Sequence, residues 1–321
     1  MSTQPIHVTV IGGYLGAGKT TLVNHVLRSS DERIAVIVND FGEISIDEDL
    51  IVAAESDKLT LANGCICCTL ADGFAVALNT VRSAEVLPER LLIEASGVAD
   101  PAQIAAYGHT PGLRLDAVVV LADAEQVRRQ ASDRWVADTV RMQLAAADLL
   151  VVNKVDLLGD AAAADALCDW LAGLAGQAAL VRSSRAAVPI DVLFGPRLRD
   201  DAAEPPQSSP AAAVAATPVT AEEVFESQTV ELDTPVPMPV VEALLADLPD
   251  GVARLKGLVP LSDSSGQVAI YVVQAVGVRT SIDRQPAESH ESTRRWAISV
   301  IAHKGTLPPD WLRSRLKTAT Q

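Results

Sequence analysis

Three of the four cysteines in this chain fall within four consecutive positions, as Cys65, Cys67 and Cys68 in the segment LANGCICCTL. Alternate residues of an extended segment point to the same side, so the sulfurs of Cys65 and Cys67 can converge on one metal ion. Cys68 stands where a helix is predicted to begin, and the helix dipole favours its thiolate form. Three thiolates leave a fourth tetrahedral position open, which suits transfer of an ion better than its storage. Glu43 and His109 are candidates for that position.

A second motif, GYLGAGKTT at residues 13–21, fits the pattern G-x-x-x-x-G-K-[ST] of a phosphate-binding loop. A buried strand is predicted before it and a helix after it, which is the context that the motif requires. Its glycines let backbone N–H groups turn towards an anion, and the start of the helix adds positive potential. The Lys19 ammonium can reach the β- and γ-phosphates, and the Thr20 hydroxyl can bind Mg²⁺. The predicted phosphate-binding residues are Gly13, Gly16, Ala17, Gly18, Lys19, Thr20 and Thr21.

The tetrapeptide NKVD at residues 153–156 ends another predicted strand and indicates a guanine site. The Asp156 carboxylate can accept hydrogen bonds from the N1–H and 2-amino groups of guanine, which adenine lacks. A buried carboxylate left unpaired by the wrong base is costly, so the discrimination is sharp. Asn153 and Lys154 complete the motif. Ser183 or Ser184, after a further strand-like segment, can complete the base pocket, although serines at strand ends also serve simply as turn formers.

Acidic residues follow two more predicted strands. Glu94 in LLIEASG can hold the shell of a Mg²⁺ ion or orient an attacking water, and the Gly97 N–H can sense a γ-phosphate. The alternative for Glu94 is a cap of the following turn. The segment VNDFGEISID at 38–47 predicts a nucleotide-sensing loop, in which Asp40 is a candidate Mg²⁺ ligand and Glu43 a second available carboxylate. A plain solvated acidic loop is the alternative there.

Net charge and the lack of a recognisable targeting signal limit the classes of function that the sequence supports. A net charge of −15 repels phosphate backbones and argues against nucleic-acid binding. The N-terminal segment lacks a basic region, and no apolar run approaches the roughly 18 residues that span a membrane. We therefore expect a cytoplasmic protein. Structural disulfides are rare there, so metal or thiol chemistry explains the cysteine cluster better. Cys168, in a predicted helix, is expected to pack in the core.

The first 200 residues alternate short apolar runs with helical segments, which predicts an α/β, doubly wound, mostly parallel P-loop domain over residues 1–200. Continuous rather than alternating hydrophobicity indicates strands that are covered on both faces. Ligands of such a sheet lie beyond the carboxyl ends of its strands. The predicted strands are 6–13, 33–40, 90–97, 116–123 and 147–154, and the predicted helices are 19–29, 69–83, 125–146 and 161–175.

A change of composition separates this domain from the rest of the chain. Residues 201–226 begin with a segment rich in Pro, Ala and Ser, which predicts a flexible linker, with one exposed Ala-rich helix as the alternative. Residues 227–321 predict a smaller α+β C-terminal domain. Its predicted strands are 227–233, 253–261, 267–276 and 294–303, its predicted helices are 238–248 and 309–317, and 281–293 is a predicted polar loop.

Taken in order, GYLGAGKTT, VNDFGEISID, NGCICC, EASGVADP and NKVD resemble the CobW-like family of P-loop GTPases, which is implicated in metal-cofactor delivery. The resemblance covers the chain to about residue 200, and RLKG and QAVG are more loosely similar to the family's C-terminal domain. It implies GTP hydrolysis with Mg²⁺. It also implies a transferable metal, often zinc and sometimes cobalt or iron, at Cys65, Cys67 and Cys68. The implied partner is a client metalloprotein, and assembly into a homo-oligomer is left open.

The chain departs from the family pattern at three points. Asp40 stands where Glu is usual, EASG replaces the commoner ETTG, and the five histidines are scattered rather than gathered in a His-rich stretch. The resulting hypothesis is a GTPase whose nucleotide state controls delivery of a metal ion, most simply zinc. One alternative is a metal-binding or sensing protein in which the nucleotide is only structural. Others are cobalt delivery for cobalamin or nitrile hydratase maturation, and an ATP-dependent kinase, which Asp156 opposes.

Overall fold

The computed structural model describes residues 5–39, 59–63, 77–84, 86–195, 225–277, 279–285 and 296–317. The chain divides into two compact units, Met1–Phe194 with Val276–Val278, and Gly195–Ala275 with Arg279–Gln321. Most of the predicted linker at 201–226 lies outside the described residues. The predicted metal ligands outside them are Asp40, Glu43, Cys65, Cys67 and Cys68.

Seven described strands form one parallel sheet in the first unit. They are β1 Ile6–Gly13, β2 Ile34–Asn39, β3 Leu59–Asn63, β4 Arg90–Glu94, β5 Leu113–Asp123, β6 Leu149–Asn153 and β7 Ala179–Ser183. Their spatial order is β3-β2-β4-β1-β5-β6-β7, and every neighbouring pair is parallel. β4 and β6 are buried along their whole length, as strands covered on both faces must be. The predicted fold class is confirmed.

Short helices connect these strands and pack on them. They are α1 Lys19–Ser29, α2 Pro101–Ala105, α3 Val127–Gln130, α4 Ala137–Ala145, α5 Ala161–Ala175 and α6 Ile190–Phe194. Residues 77–82 are also helical. Leu144 and Leu171 from the helices share one core with Val10 and Val120 from the strands. Within the described ranges, no helix is both long enough and apolar enough to cross a membrane.

The carboxyl ends of the strands bring distant parts of the sequence to one edge of the sheet. β1 lies between β4 and β5, so the strand order reverses there, and ligands of open α/β sheets bind at such a reversal. The pairing places Ile11 beside Glu94, and Asn153 between Asp123 and Ser183. The predicted phosphate, magnesium and base residues that the structure describes therefore share one edge.

A buried charge cluster lies towards the amino ends of the strands and is centred on Arg90. The guanidinium donates to Asp116 at 2.7 Å, to Glu32 at 2.8 Å and to the Thr9 hydroxyl at 3.2 Å. It also stacks over the Phe194 ring, 3.7 Å from the ring centroid. Since the buried cation has carboxylate partners, its charge is compensated. The cluster attaches α6 to the sheet at a distance from the nucleotide-facing edge.

The single helix predicted at 125–146 is wrong, because two short helices, α3 and α4, occupy that segment. Between them the Asp133 carboxylate accepts a hydrogen bond from the Trp135 N–H at 2.8 Å, and the Ser132 hydroxyl donates to the Arg128 carbonyl at 3.0 Å. Short polar side chains that bind nearby backbone compete with helical hydrogen bonds. The apolar periodicity on either side concealed this interruption.

The second unit is a mainly antiparallel sheet with two described helices. Its elements are β8 Phe225–Leu232, β9 Val236–Pro237, α7 Met238–Ala246, β10 Val252–Ser262, β11 Val268–Val276, β12 Arg279–Arg284, β13 Trp296–His303 and α8 Trp311–Lys317. The order is β12-β11-β10-β13-β8, and β9 pairs with β10. Val241 and Leu312 from the helices pack on Leu255 and Val300. The polar loop predicted at 281–293 is wrong at its start, because β12 forms a polar edge strand there.

The burial of His25 on α1 should make the stability of the protein depend on pH. Its Nε2 donates to the Val188 carbonyl at 2.8 Å. Burial lowers the pKa of His25 below 6.5; the Val188 hydrogen bond opposes this shift, and the nearby Arg28 charge adds to it. The unfolded chain then takes up the proton at a higher pH than the folded chain does. The free energy of unfolding should therefore fall as the pH drops below about 6.5, by at most about 1.4 kcal/mol per pH unit for one proton.

Urea unfolding at about pH 7.5 and about pH 5.5 checks this expectation. His25→Gln keeps an N–H donor but does not titrate, so the variant should lose less stability than the wild type over the same interval. Equal losses in the two proteins would assign the pH dependence to other groups.

Candidate nucleotide site

The phosphate loop joins β1 to α1 at the carboxyl edge of the sheet. Gly13 has a φ of 131° and Gly18 a φ of 105°, which side chains with a Cβ rarely adopt. A Cβ on Gly13 would lie 2.4 Å from the Leu121 carbonyl oxygen, and one on Gly18 would lie 2.5 Å from Asn153 Nδ2. Beside Gly16, a Cβ would meet no described atom within 4 Å. Glycine is thus required at two positions, and the loop keeps open space at a third.

Lys19, the first residue of α1, is buried and extends its ammonium across the loop. Nζ donates to the Gly13 carbonyl at 3.0 Å and to the Tyr14 carbonyl at 3.4 Å. A phosphate oxygen would receive a charge-assisted bond from the same ammonium, roughly twice as strong as a neutral one. Ala17 is buried, whereas Thr21 is exposed in the first turn of α1. A cation held at the start of a helix is the electrostatic arrangement that phosphate requires.

Thr20 and Glu94 meet beside the phosphate loop, although 74 positions separate them in the sequence. The Thr20 hydroxyl donates to Glu94 Oε1 at 2.8 Å, and Glu94 is buried at the end of β4. A hydroxyl and a carboxylate are hard oxygen donors of the kind that Mg²⁺ takes in phosphoryl-transfer sites. The pair therefore fits a Mg²⁺ ion, which when bound would neutralise charge on the phosphates.

Asn153 joins the phosphate loop to the loop that follows β7. Its side chain is only 2% exposed. Nδ2 donates to the Ala17 carbonyl at 2.9 Å, and Oδ1 accepts from the Ala186 N–H at 2.8 Å. One amide group thus fixes two loops that lie on either side of the end of β6. The phosphate and base parts of the predicted site belong to a single hydrogen-bonded framework.

Three non-glycine residues near Asn153 adopt left-handed backbone conformations. Lys154 has a φ of 64°, Arg185 of 54° and Ala186 of 55°. Such conformations cost of the order of 1–3 kcal/mol each and persist where the surroundings impose them, commonly at ligand sites. Lys154 is also held by a 2.7 Å ion pair with Asp123. Asp123 was not among the residues predicted for the site, although it ends a strand as the others do.

Ser183 and Asp156, both predicted for the base pocket, differ in burial. Ser183 is 4% exposed, and its Oγ has no hydrogen-bond partner among the described residues. A buried hydroxyl without a partner costs about 1–3 kcal/mol, which a ligand or a water molecule would recover. Asp156 lies exposed in the 3-10 turn Val155–Leu157 that follows β6. Its carboxylate is exposed rather than buried, and its role in binding guanine stays a prediction.

The turn after Glu94 has a partner that sequence reasoning missed. Gly97 is buried, and Gln143 on α4 donates through Nε2 to the Gly97 carbonyl at 3.1 Å and to the Ala99 carbonyl at 2.9 Å. A single polar residue on the same helix face as Val140 and Leu144 is the signal that could have identified it. Gly97, predicted to sense a γ-phosphate, is thus fixed by a residue from a different element.

The predicted transferable-metal site cannot be placed, because its three cysteines and Glu43 lie outside the described residues. Among the residues that are described, no three His, Cys, Asp or Glu side chains gather as a metal site would require. His109 is exposed at the end of the 3-10 helix Ala106–His109. Cys168 packs against the core, as predicted, but it is only half-buried, and its sulfur accepts a 3.3 Å hydrogen bond from Arg182 Nε.

Comparison with known families finds two consecutive matches. Residues 7–182 match the family described as CobW/HypB/UreG, nucleotide-binding domain. Residues 225–320 match the family described as cobalamin synthesis protein CobW, C-terminal domain. The first match contains the phosphate loop, Glu94 and the NKVD segment, and it covers more than half of the chain.

Similar proteins include one relative matched over most of its length. The chain is 31% identical over 288 residues to zinc chaperone YjiA of Escherichia coli, spanning 84% of this chain and 87% of that protein. It is 37% identical over 183 residues to zinc chaperone CobW of a Sinorhizobium species, spanning 48% of this chain but only 52% of that protein. The structure of Zn(II)-bound YjiA GTPase from E. coli aligns over 99% of this chain and 100% of that one, with a TM-score of 0.47 and 26% identity.

Proposed function

Because this chain belongs to the CobW/HypB/UreG family of P-loop GTPases, we propose that it hydrolyses GTP and that its nucleotide state controls delivery of a transition metal ion to a client protein. Zinc is the proposed metal, bound as cargo by Cys65, Cys67 and Cys68. The observation that carries the nucleotide part is the Asn153 side chain, which holds the phosphate loop and the base-side loop together.

The choice of GTP over ATP rests on Asp156 and its surroundings. The carboxylate is exposed in a turn that follows directly from Asn153, and Lys154 is held against Asp123 beside it. An acceptor at this point suits the N1–H and 2-amino donors of guanine, whereas adenine presents no such pair. The kinase alternative, which needs an adenine pocket, is disfavoured for the same reason.

Hydrolysis is proposed from the groups around the phosphate end. Lys19 supplies a positive charge, Thr20 and Glu94 supply oxygen ligands that fit Mg²⁺, and the Gly97 N–H is a candidate contact for the γ-phosphate. In phosphoryl transfer, positioning and electrostatic stabilisation provide most of the catalysis. Few acid–base groups are required, and the buried Glu94 carboxylate, which accepts a hydrogen bond from Thr20, is the one proposed for the phosphate end of the site.

The metal part of the proposal rests on the cysteine trio and on the relatives. Three thiolates in four positions are soft donors that suit zinc, and a set of three leaves an open position through which an ion can be passed on. Both curated relatives compared above carry the name zinc chaperone. Cobalt delivery, for cobalamin or nitrile hydratase maturation, is the alternative cargo within the same mechanism. The chain is proposed to act in the cytoplasm on a client metalloprotein, alone or as a homo-oligomer.

Reciprocal coupling between metal and nucleotide tests the proposal. If GTP tightens zinc binding, zinc must tighten GTP binding by the same factor, and couplings between sites are typically about 1–3 kcal/mol or about 5–150-fold. We expect zinc to raise the affinity for a non-hydrolysable GTP analogue within that range. Titration calorimetry with and without Zn²⁺ measures it.

The matched controls use the four cysteines of the chain. The variant Cys65→Ala/Cys67→Ala/Cys68→Ala should lose the effect of zinc, whereas Cys168→Ala should keep it. A wild type that binds GTP equally with and without zinc would instead support the metal sensor in which nucleotide is only structural. The same zinc effect in the triple variant would place the metal elsewhere.

A further inference from the structure

Gln143 occupies an unusual position for a polar side chain. It lies on α4 with 1% of its surface exposed, on the helix face that carries Val140 and Leu144 into the core. Its Nε2 donates to two backbone carbonyls, those of Gly97 at 3.1 Å and Ala99 at 2.9 Å. Both carbonyls belong to the turn after Glu94, so a single amide spans the turn that faces the phosphate loop.

The other contacts of this turn leave it little freedom. The Ala99 N–H donates to the Ser96 carbonyl at 3.0 Å, and the Ala95 N–H donates to the Ile11 carbonyl of β1 at 2.8 Å. On its other side Gly97 packs against Leu15 of the phosphate loop, since a Cβ on Gly97 would lie 2.4 Å from Leu15 Cδ2 and 3.0 Å from its backbone nitrogen. Gly97 thus lies between Leu15 of the phosphate loop and Gln143.

The oxygen atom of the Gln143 amide plays no part in these hydrogen bonds. Oε1 is buried and no described residue donates a hydrogen bond to it. Gln143 also lines a cavity of about 10 Å³ together with Tyr14, Ala17, Val140 and Leu144, a volume that can hold about one water molecule. An apolar side chain of similar size would avoid an unpaired buried oxygen. The two carbonyls of the turn are therefore the contacts that explain an amide at this position.

We propose that Gln143 is a positioning residue of the nucleotide cycle, which holds the Gly97 turn in the conformation that receives a γ-phosphate. The inference rests on the proposed function, since it assigns how that site distinguishes GTP from GDP. The carbonyl of Gly97 and the carbonyl of Ala99 are anchored by Gln143, and the carbonyl of Ser96 is anchored by the turn itself. The Gly97 N–H is thereby fixed before nucleotide binds, so GTP need not order it.

Replacing Gln143 with methionine removes both donors and nearly conserves the volume. Because the released turn must then be ordered by the γ-phosphate, affinity for a non-hydrolysable GTP analogue should fall roughly tenfold, the loss expected from two ordinary hydrogen bonds. Affinity for GDP, which has no γ-phosphate, should stay within about twofold. Fluorescence titration of the purified full-length protein with labelled nucleotides gives both values and hence their ratio.

Leu171→Ala is the control for a general loss of stability, because Leu171 is fully buried on α5 and makes none of the hydrogen bonds given above for the turn. It should weaken the fold without changing the ratio of the two affinities. An unchanged ratio in Gln143→Met, or equal losses for both nucleotides, would overturn the inference. A wild type that fails to bind GTP would refute the proposed function instead, so the two failures can be told apart.

A measurement on the wild type keeps the inference testable even where the methionine variant does not fold. The Ala99 amide, bonded to the Ser96 carbonyl, reports on the turn through hydrogen exchange. If Gln143 holds the turn, this amide is protected in the nucleotide-free and GDP-bound protein as well as with the GTP analogue. Protection that appears only with the analogue would show that the γ-phosphate, and not Gln143, orders the turn.

Discussion

Replacing Asp156 with asparagine should lower the affinity for GTP roughly 10²–10⁴-fold and create a preference for xanthosine triphosphate. The carboxylate, exposed in the turn after β6, accepts two hydrogen bonds from guanine in the proposed complex. The amide of asparagine presents a donor to one of the two guanine donors. Xanthine carries an oxygen in place of the 2-amino group, so this amide can donate to it. A competition binding experiment with the two nucleotides measures this change of preference in the variant.

Asp160→Asn is the matched control, four positions further along the chain. Asp160 caps α5 by accepting from the Ala163 N–H at 2.8 Å, and asparagine is an equally good cap. This variant should bind GTP as the wild type does. A folded Asp156→Asn protein that keeps its GTP affinity, or loses it without gaining affinity for the xanthosine nucleotide, would contradict guanine recognition by Asp156.

The phosphate loop could be predicted from sequence because its requirements are local. Gly13 and Gly18 adopt conformations that other residues avoid, and Lys19 must follow at the start of a helix. The bridge from Asn153 to Ala17 and Ala186 is of another kind. It depends on the register of β5, β6 and β7, which the sequence does not display, so the motif indicated a base site without indicating how it is fixed to the phosphate site.

Side chains that act from a neighbouring element were the ones that sequence reasoning missed. Gln143 and Asp123 belong to no motif. Gln143 binds the turn that contains Gly97, and Asp123 pairs with Lys154, so each acts on a segment distant from it in the sequence. The error at 125–146 has a related cause. Apolar periodicity continues through that segment, while between the two helices the Asp133 carboxylate accepts a hydrogen bond from the Trp135 N–H. Periodicity records which face is buried and does not record such local competition.

Glu94 and Gly97 show why the phosphate end of the site responds to small changes. Glu94 is tied to Thr20, and three residues later Gly97 is tied to Gln143. One short turn therefore connects the group proposed to hold magnesium with the group proposed to contact the γ-phosphate. Since both are anchored by hydrogen bonds rather than by apolar packing alone, a change of charge at Glu94 should affect catalysis more than stability.

Glu94→Gln should reduce the rate of GTP hydrolysis roughly 10²–10³-fold, the size of effect that follows the loss of one electrostatic group from a reacting site. The amide oxygen of glutamine can still accept the 2.8 Å hydrogen bond from Thr20, so the loop should remain folded. What is lost is the negative charge that a magnesium ligand, or a residue that orients the attacking water, must supply. Single-turnover hydrolysis at a series of Mg²⁺ concentrations measures the rate and the metal requirement together.

The Mg²⁺ series separates the two roles that the sequence leaves open for Glu94. If the carboxylate holds the magnesium shell, the variant needs more Mg²⁺ and recovers part of its rate at high concentration. If it orients the water, the rate stays low at every concentration while the Mg²⁺ requirement is unchanged. Glu125→Gln is the matched control, because Glu125 is an exposed carboxylate just beyond the end of β5, and its hydrolysis rate should match the wild type. Hydrolysis by Glu94→Gln within a few-fold of the wild type would remove Glu94 from the catalytic site and leave it as a structural partner of Thr20.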